Sequence, residues 1–160
     1  MGSGVVVVVA AGDTGSGTSK TRIGAHTTVL EGSINDPGNA ELAITVGSTH
    51  RDMPQKYGVS YFSSKGPTAD GRKKPDILAP GQDVTCCATG RMKVESGKAY
   101  EDAIYFEDSG TSIATAVVSG AIAALLSSRR ELIGQPDLIK RILLETQPIY
   151  NGQSSIKDVA

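Results

Sequence analysis

The chain has 160 residues, with 16 Lys and Arg against 17 Asp and Glu for a formal net charge of −1. That length points to one domain, and the balanced charge gives no electrostatic reason to expect nucleic acid or a membrane surface as partner. Hydrophobic residues at 39% and charged residues at 21% exclude a disordered chain, while 19 glycines and no tryptophan suit the close backbone packing of α/β enzymes.

Residues 1–4, Met-Gly-Ser-Gly, read as a vector-derived start. They hold no basic residue and the apolar run behind them is short, so no signal peptide is expected. Residues 5–10 are five valines and an alanine, which predicts a strand buried on both faces, as in a parallel sheet. The strand feeds a glycine-rich loop, Gly12-Asp13-Thr14-Gly15-Ser16-Gly17. Residues 18–41 are polar and turn-rich, with a turn at Asn35-Asp36-Pro37-Gly38-Asn39. Further strands are predicted at 43–47, more weakly at 59–63, and at 76–81, where Pro80-Gly81 stops the run. Residues 84–88 are expected to continue the sheet, 89–102 to form an exposed loop and 103–106 another strand. Cys86 and Cys87 are neighbours, too strained to bond to each other. They are expected as buried small hydrophobes rather than a disulfide framework.

Residues 109–128 carry no charge, but their Ser, Thr and Gly content fits a buried helix better than a bilayer span. The helix is predicted to start near Ser112 and to be apolar almost all round through 113–126. Gly120 inside it costs about 1 kcal/mol relative to Ala and is read as a close helix–sheet contact. Arg129 and Arg130 suit the helix C-terminus. Gly134 breaks the chain, and 137–146 forms a second helix with Leu138, Ile142 and Leu143 on one face. Strands interleaved with helices predict an α/β layer fold.

Three segments bear on chemistry. They are Val6-Val7-Val8-Val9-Ala10-Ala11-Gly12-Asp13, then Phe62-Ser63-Ser64-Lys65-Gly66-Pro67 running on to Ala79-Pro80-Gly81, and then Gly110-Thr111-Ser112 leading through Ala114 to Gly120. In this order they resemble the subtilisin-like serine proteases (subtilases, peptidase S8) over roughly residues 4–146. The resemblance implies a three-layer α/β/α fold with a mostly parallel sheet, present here as its C-terminal part. Residues 5–146 would be the catalytic-domain portion and 147–160 a divergent or flexible tail.

By that resemblance Ser112 is the nucleophile of a peptide-bond hydrolysis that passes through an acyl-enzyme. A helix N-terminus offers free N–H groups and partial positive charge, so the N–H of Ser112 would help hold the oxyanion. The plainer alternative is an ordinary N-cap serine. Asp13 stands where the family places an Asn that donates the second oxyanion hydrogen bond. An ionised carboxylate cannot donate, and loss of such a donor costs roughly 2.7–4 kcal/mol; a neutral Asp13 would still donate. The Pro-His pair that follows the family's nucleophile is replaced by Ala116-Val117, taken as a tolerated change in a buried helix. Ala10, Ala11 and Gly12 match the segment that lines the pocket for the substrate side chain before the scissile bond.

The family's Asp and His precede the first of these segments, so the resemblance implies that both come from an upstream segment or another chain. That N-terminal half of the protease is the expected partner, with a peptide or protein as substrate. His26 and His50 lack the family histidine's sequence neighbours and are expected as surface residues. The alternative is a degenerate or fragmentary subtilase acting as a non-catalytic structural or binding module. No cofactor is expected. Family members often bind structural calcium, but no acidic cluster here has a ligand pattern. They are often secreted as well.

Two other readings fit less. Asp13-Thr14-Gly15 is the tripeptide of aspartic proteases, which need two such carboxylates, and the chain has one. The glycine loop fails as a nucleotide loop because Thr18 stands where a phosphate loop needs Lys and Thr14 where a dinucleotide loop needs Gly.

Overall fold

The computed structural model describes residues 4–22, 24–88 and 105–146. The elements run β1 (Val8–Ala10), β2 (Ser16–Thr21), β3 (Gly24–Val29), β4 (Ile44–His50), α1 (Pro54–Tyr57), β5 (Ile77–Gln82), β6 (Val84–Cys87), β7 (Tyr105–Asp108), α2 (Thr111–Ser128), a 3-10 turn (Arg130–Leu132) and α3 (Pro136–Thr146). The expected tail at 147–160, the loop at 89–102 and the start at 1–3 lie outside the described residues.

β1, β4 and β5 form a parallel sheet in that order, with Val8 opposite Ile44 and Val46 opposite Ile77. The central strand β4 is buried from Ile44 to Thr49. Helix α2 lies across all three strands, so the architecture is the predicted parallel α/β layering. Ala114, Val118 and Ile122, four residues apart on one stripe of α2, meet Ile44, Val46, Ile77 and Ala79. Leu132 and Ile139 close this core from the last turns of the chain. Each fully buried Val, Leu or Ile contributes roughly 1.5–3 kcal/mol.

At the other end of the sheet from the glycine loop, a buried polar cluster ties strands to helix. Lys74 Nζ donates to Ala43 O at 3.2 Å, Thr45 Oγ1 at 2.8 Å and Asp76 Oδ2 at 2.6 Å. Lys140 on α3 reaches Ala43 O at 2.9 Å and the same Asp76 oxygen at 3.4 Å. Thr45 N–H donates to Asp76 Oδ2 at 2.7 Å, completing the lock.

Several sequence expectations need correction. Residues 5–10 are not buried on both faces: Val5 is 62% and Val7 53% exposed, because only one face of the run meets α2. The polar stretch after the glycine loop holds an antiparallel ribbon, β2 with β3, running from Ser16 opposite Val29 to Thr21 opposite Gly24. Residues 59–63 form no strand. Val59 makes a single bridge to Thr49, and the following residues turn inward to bury Ser60, Ser63 and Ser64. Pro80 and Gly81 lie inside β5, an edge strand where a missing N–H is tolerated.

Residues 84–88 do not extend the main sheet. Asp83 turns the chain at φ 55°, and β6 pairs with β7 in a separate two-stranded sheet. Burial alternates along β6, leaving Cys86 half-buried and Cys87 exposed rather than both buried. His26 is exposed as expected. His50 is half-buried, its Nδ1 accepting the N–H groups of Asp52 at 3.2 Å and Met53 at 3.3 Å.

The expectation for the long helix also changes. Only Thr111, Ala114, Val118 and Ile122 of α2 are buried; Ala116, Val117, Gly120, Ala121, Ala123 and Ala124 are exposed. Gly120 makes no close helix–sheet contact, since a Cβ there would meet nothing within 4 Å. Length and apolarity would let α2 cross a membrane, yet its buried stripe packs on the sheet. In α3 the fully buried residue is Ile139, with Leu138, Ile142 and Leu143 partly covered beside it.

Candidate active site

In a parallel α/β sheet, sites form beyond the carboxyl ends of the strands. Here those ends are Ala10, His50 and Gln82. Past Ala10 the chain is held at every residue. Ala11 is fully buried, donating its N–H to Val46 O at 2.9 Å and accepting from Asn35 N at 3.0 Å. Of the three residues matched to the substrate pocket, only Ala10 and Gly12 therefore present accessible surface. Gly12 adopts φ +108°, and a Cβ there would come within 2.6 Å of Asn35 Nδ2, so glycine is required for both conformation and space. Its N–H donates to Thr111 Oγ1 at 3.1 Å, and its carbonyl accepts from Ser64 N at 2.8 Å.

The next residue, Asp13, is exposed, and its Oδ1 accepts the N–H of Thr111 at 2.8 Å across 98 residues of sequence. A carboxylate at a helix N-terminus is favoured by about 0.3–1 kcal/mol. Behind it, Gly15 donates its N–H to Phe62 O at 2.8 Å, and a Cβ on Gly15 would sit 1.9 Å from Ser63 O. The Phe62-Ser63-Ser64 segment is thus the bed on which the glycine loop rests. The Ala79-Pro80-Gly81 segment has a matching task. Gly81 O accepts the N–H of Gly110 at 2.7 Å, and a Cβ on Gly81 would come within 2.7 Å of Gly110 O. The three motifs thus converge on the turn that opens α2.

That turn is held from outside by residues with no motif signal. Ser109 Oγ accepts Asp83 N–H at 2.9 Å and donates to Asp83 Oδ1 at 3.3 Å. Arg51 donates to Asp83 O and pairs with Asp52 at 3.0 Å and Glu107 at 3.5 Å, and these hydrogen bonds and charges raise its pKa, Asp52 above all. In the sequence, only the short polar step after Pro80-Gly81 hinted that Asp83 makes a special turn.

The N-cap of α2 is Gly110, with no side-chain cap, so Ser112 is the second helical residue and not a capping serine. Of the first N–H groups of α2, that of Thr111 goes to Asp13, and those of Ile113 and Ala114 to Gly110 O at 3.1 and 3.3 Å. Neither the N–H nor the hydroxyl of Ser112 is hydrogen-bonded within the described residues, and the side chain is exposed. An exposed hydroxyl beside an unpaired helix N-terminal N–H can place a bound carbonyl against a hydrogen-bond donor. Neither His26 nor His50 bonds to Ser112. No three or more His, Cys, Asp or Glu side chains gather among the described residues.

The sequence matches the subtilase (peptidase S8) family over residues 1–158. It is 33% identical over 168 residues to the serine protease AprX of Bacillus subtilis, covering 98% of this chain and 32% of AprX. It is 33% identical over 181 residues to pyrolysin of Pyrococcus furiosus, covering 94% of this chain and 11% of pyrolysin. The chain therefore spans about a third or less of these two relatives. Among solved structures, the prenylagaramide maturation protease PagA superposes with a TM-score of 0.62 at 24% identity, over 92% of this chain and 42% of PagA. The self-cleaved protease domain of PatA superposes with a TM-score of 0.58 at 26% identity, over 89% of this chain and 42% of that domain. With its three motif segments gathered at one helix start on a parallel sheet, the chain belongs to the subtilase family of serine proteases.

Proposed function

We propose that this chain carries the nucleophile of a subtilisin-type serine endopeptidase, Ser112, and that Asp13 sits at the oxyanion position beside it. One observation carries the reading: Ser112 presents an exposed, uncapped hydroxyl next to its own unpaired N–H, on a turn fixed by three separate segments. In the reaction, Ser112 Oγ bonds to the scissile carbonyl carbon and loses its proton to a histidine base. The C–N bond then breaks as the imidazolium returns that proton to the leaving amine, an ester remains on Ser112, and water, deprotonated by the same histidine, hydrolyses it to the free acid and Ser112. The base and its aspartate partner come from the N-terminal half of the protease, on an upstream segment or another chain. Without them Ser112 is a weak nucleophile.

The open face of α2 supports this division of labour, because Ala116, Val117, Gly120 and Ala121 surround the helix on the side the sheet leaves uncovered. A second reading, a non-catalytic subtilase-like module, draws on Asp13, whose carboxylate cannot donate while ionised. The test is a fluorophosphonate probe on the assembled protease. Labelling that disappears in Ser112→Ala supports the peptidase; an unlabelled intact protease supports the module.

A further inference from the structure

The ribbon of β2 and β3 is not explained by the fold. Its root is rigid: Gly15 is wedged against Ser63, Leu30 N–H donates to Gly15 O at 3.0 Å, and Leu30 covers Gly17. Beyond that root β3 is exposed along its whole length, with Thr18 and Lys20 exposed on β2. A two-stranded ribbon without an apolar face is marginal by itself, and its outer edges are templates for another strand. From Thr14 to Leu30 the sequence holds Lys20, Arg22 and His26 and no acidic residue. Lys20 and Arg22 are exposed and form no ion pair with the described residues.

Resting on the peptidase reading, we propose that this ribbon is an exosite that takes an extended, acidic segment of the polypeptide substrate, paired to a ribbon edge with its carboxylates at Lys20 and Arg22. The chain leaves Asp13 and enters β2 at Ser16, so the ribbon is continuous with the loop at the nucleophile. Lys20 is the fifth residue of β2 and Arg22 follows its last, so at about 3.3 Å per residue the two cations stand roughly 13–20 Å beyond Ser16. An acidic residue some six positions along the substrate from the site would meet them. Strand addition supplies main-chain hydrogen bonds and the charges supply selectivity. A second copy of the ribbon fits poorly as occupant, because pairing would set like charges together. A nucleic acid would need a longer stripe of cations than this.

The experiment uses the assembled protease with Ser112→Ala, so that binding is read without turnover. The probes are fluorescein-labelled Thr/Val-rich decapeptides, identical except for a central Glu-Asp, Gln-Asn or Lys-Lys pair. The acidic peptide is expected to bind about tenfold more tightly than the Lys-Lys peptide, with the gap shrinking as salt rises. The double variant Lys20→Glu, Arg22→Glu is expected to reverse the preference, and Lys20→Gln, Arg22→Gln to erase it. Equal binding of the three peptides, or an acidic preference that survives both variants, overturns the exosite; the ribbon would then be a surface covered by the rest of the protease. Fluorophosphonate labelling of the Ser112 form is read separately, so peptide binding without labelling overturns only the peptidase reading.

Discussion

One Asp13 oxygen already accepts the Thr111 N–H at 2.8 Å, and this decides what an amide would do in its place. In Asp13→Asn the amide oxygen keeps that bond while the nitrogen becomes a donor, which the carboxylate is not when ionised. If an oxyanion forms at Ser112, turnover by the assembled protease is expected to rise by up to about 10²–10³-fold. The same change removes a negative charge from the start of α2, so thermal or urea unfolding is expected to show a loss of about 0.3–1 kcal/mol. Faster catalysis with lower stability is a combination that simple relief of strain would not give. Equal or lower rates across the pH range, with the fold intact, would remove Asp13 from the oxyanion site.

At the scale of elements, the Lys74 cluster makes β4, β5 and α3 one unit. Lys74→Met removes three hydrogen bonds, while Lys140 still reaches Ala43 O and Asp76 and Thr45 N–H still donates to Asp76, so the expected cost is about 1–3 kcal/mol in urea unfolding at neutral pH. Burial pulls the Lys74 ammonium below its usual 10.5, outweighing the opposing pull of Asp76. The folded chain therefore releases this proton before the unfolded chain does. Between the folded pKa and 10.5 the unfolded state binds more protons, so the stability gap between wild type and variant should widen as pH rises, and stay constant below that window. A gap that narrows with pH would contradict the burial argument.

The elements also differ in how legible they were. The first half of β4 and the extent of α2 could be read because each carries an apolar run, whereas Ser48-Thr49-His50, which complete β4, carry none. The ribbon of β2 and β3 could not, because Thr18 opposite Thr27 and Lys20 opposite Ala25 give no alternation between an inside and an outside. Ser112 and Asp13 stood out through their motifs, whereas Arg51 and Asp83 act through a turn whose form appears only when the chain folds. Periodicity showed that α2 is apolar all round, but not which face is covered.

For the whole molecule, that uncovered face sets the behaviour of the chain. The sheet covers one stripe of α2, leaving Val117 39% exposed beside Ala116, Gly120 and Ala121, while Val5 and Val7 stand open on the first strand. Exposed apolar residues of this kind favour association unless another surface covers them. The 160-residue chain alone is therefore expected to self-associate in sedimentation velocity, increasingly with concentration. Val117→Glu with Ala121→Glu should reduce that association, because two carboxylates on the stripe must stay hydrated. If the N-terminal half of the protease covers this face, the same pair of changes should block assembly and with it fluorophosphonate labelling at Ser112, although neither residue touches the nucleophile. A monodisperse, cooperatively unfolding wild-type monomer would show that the face needs no cover, and an assembled, labelled double variant would place the partner's contact elsewhere.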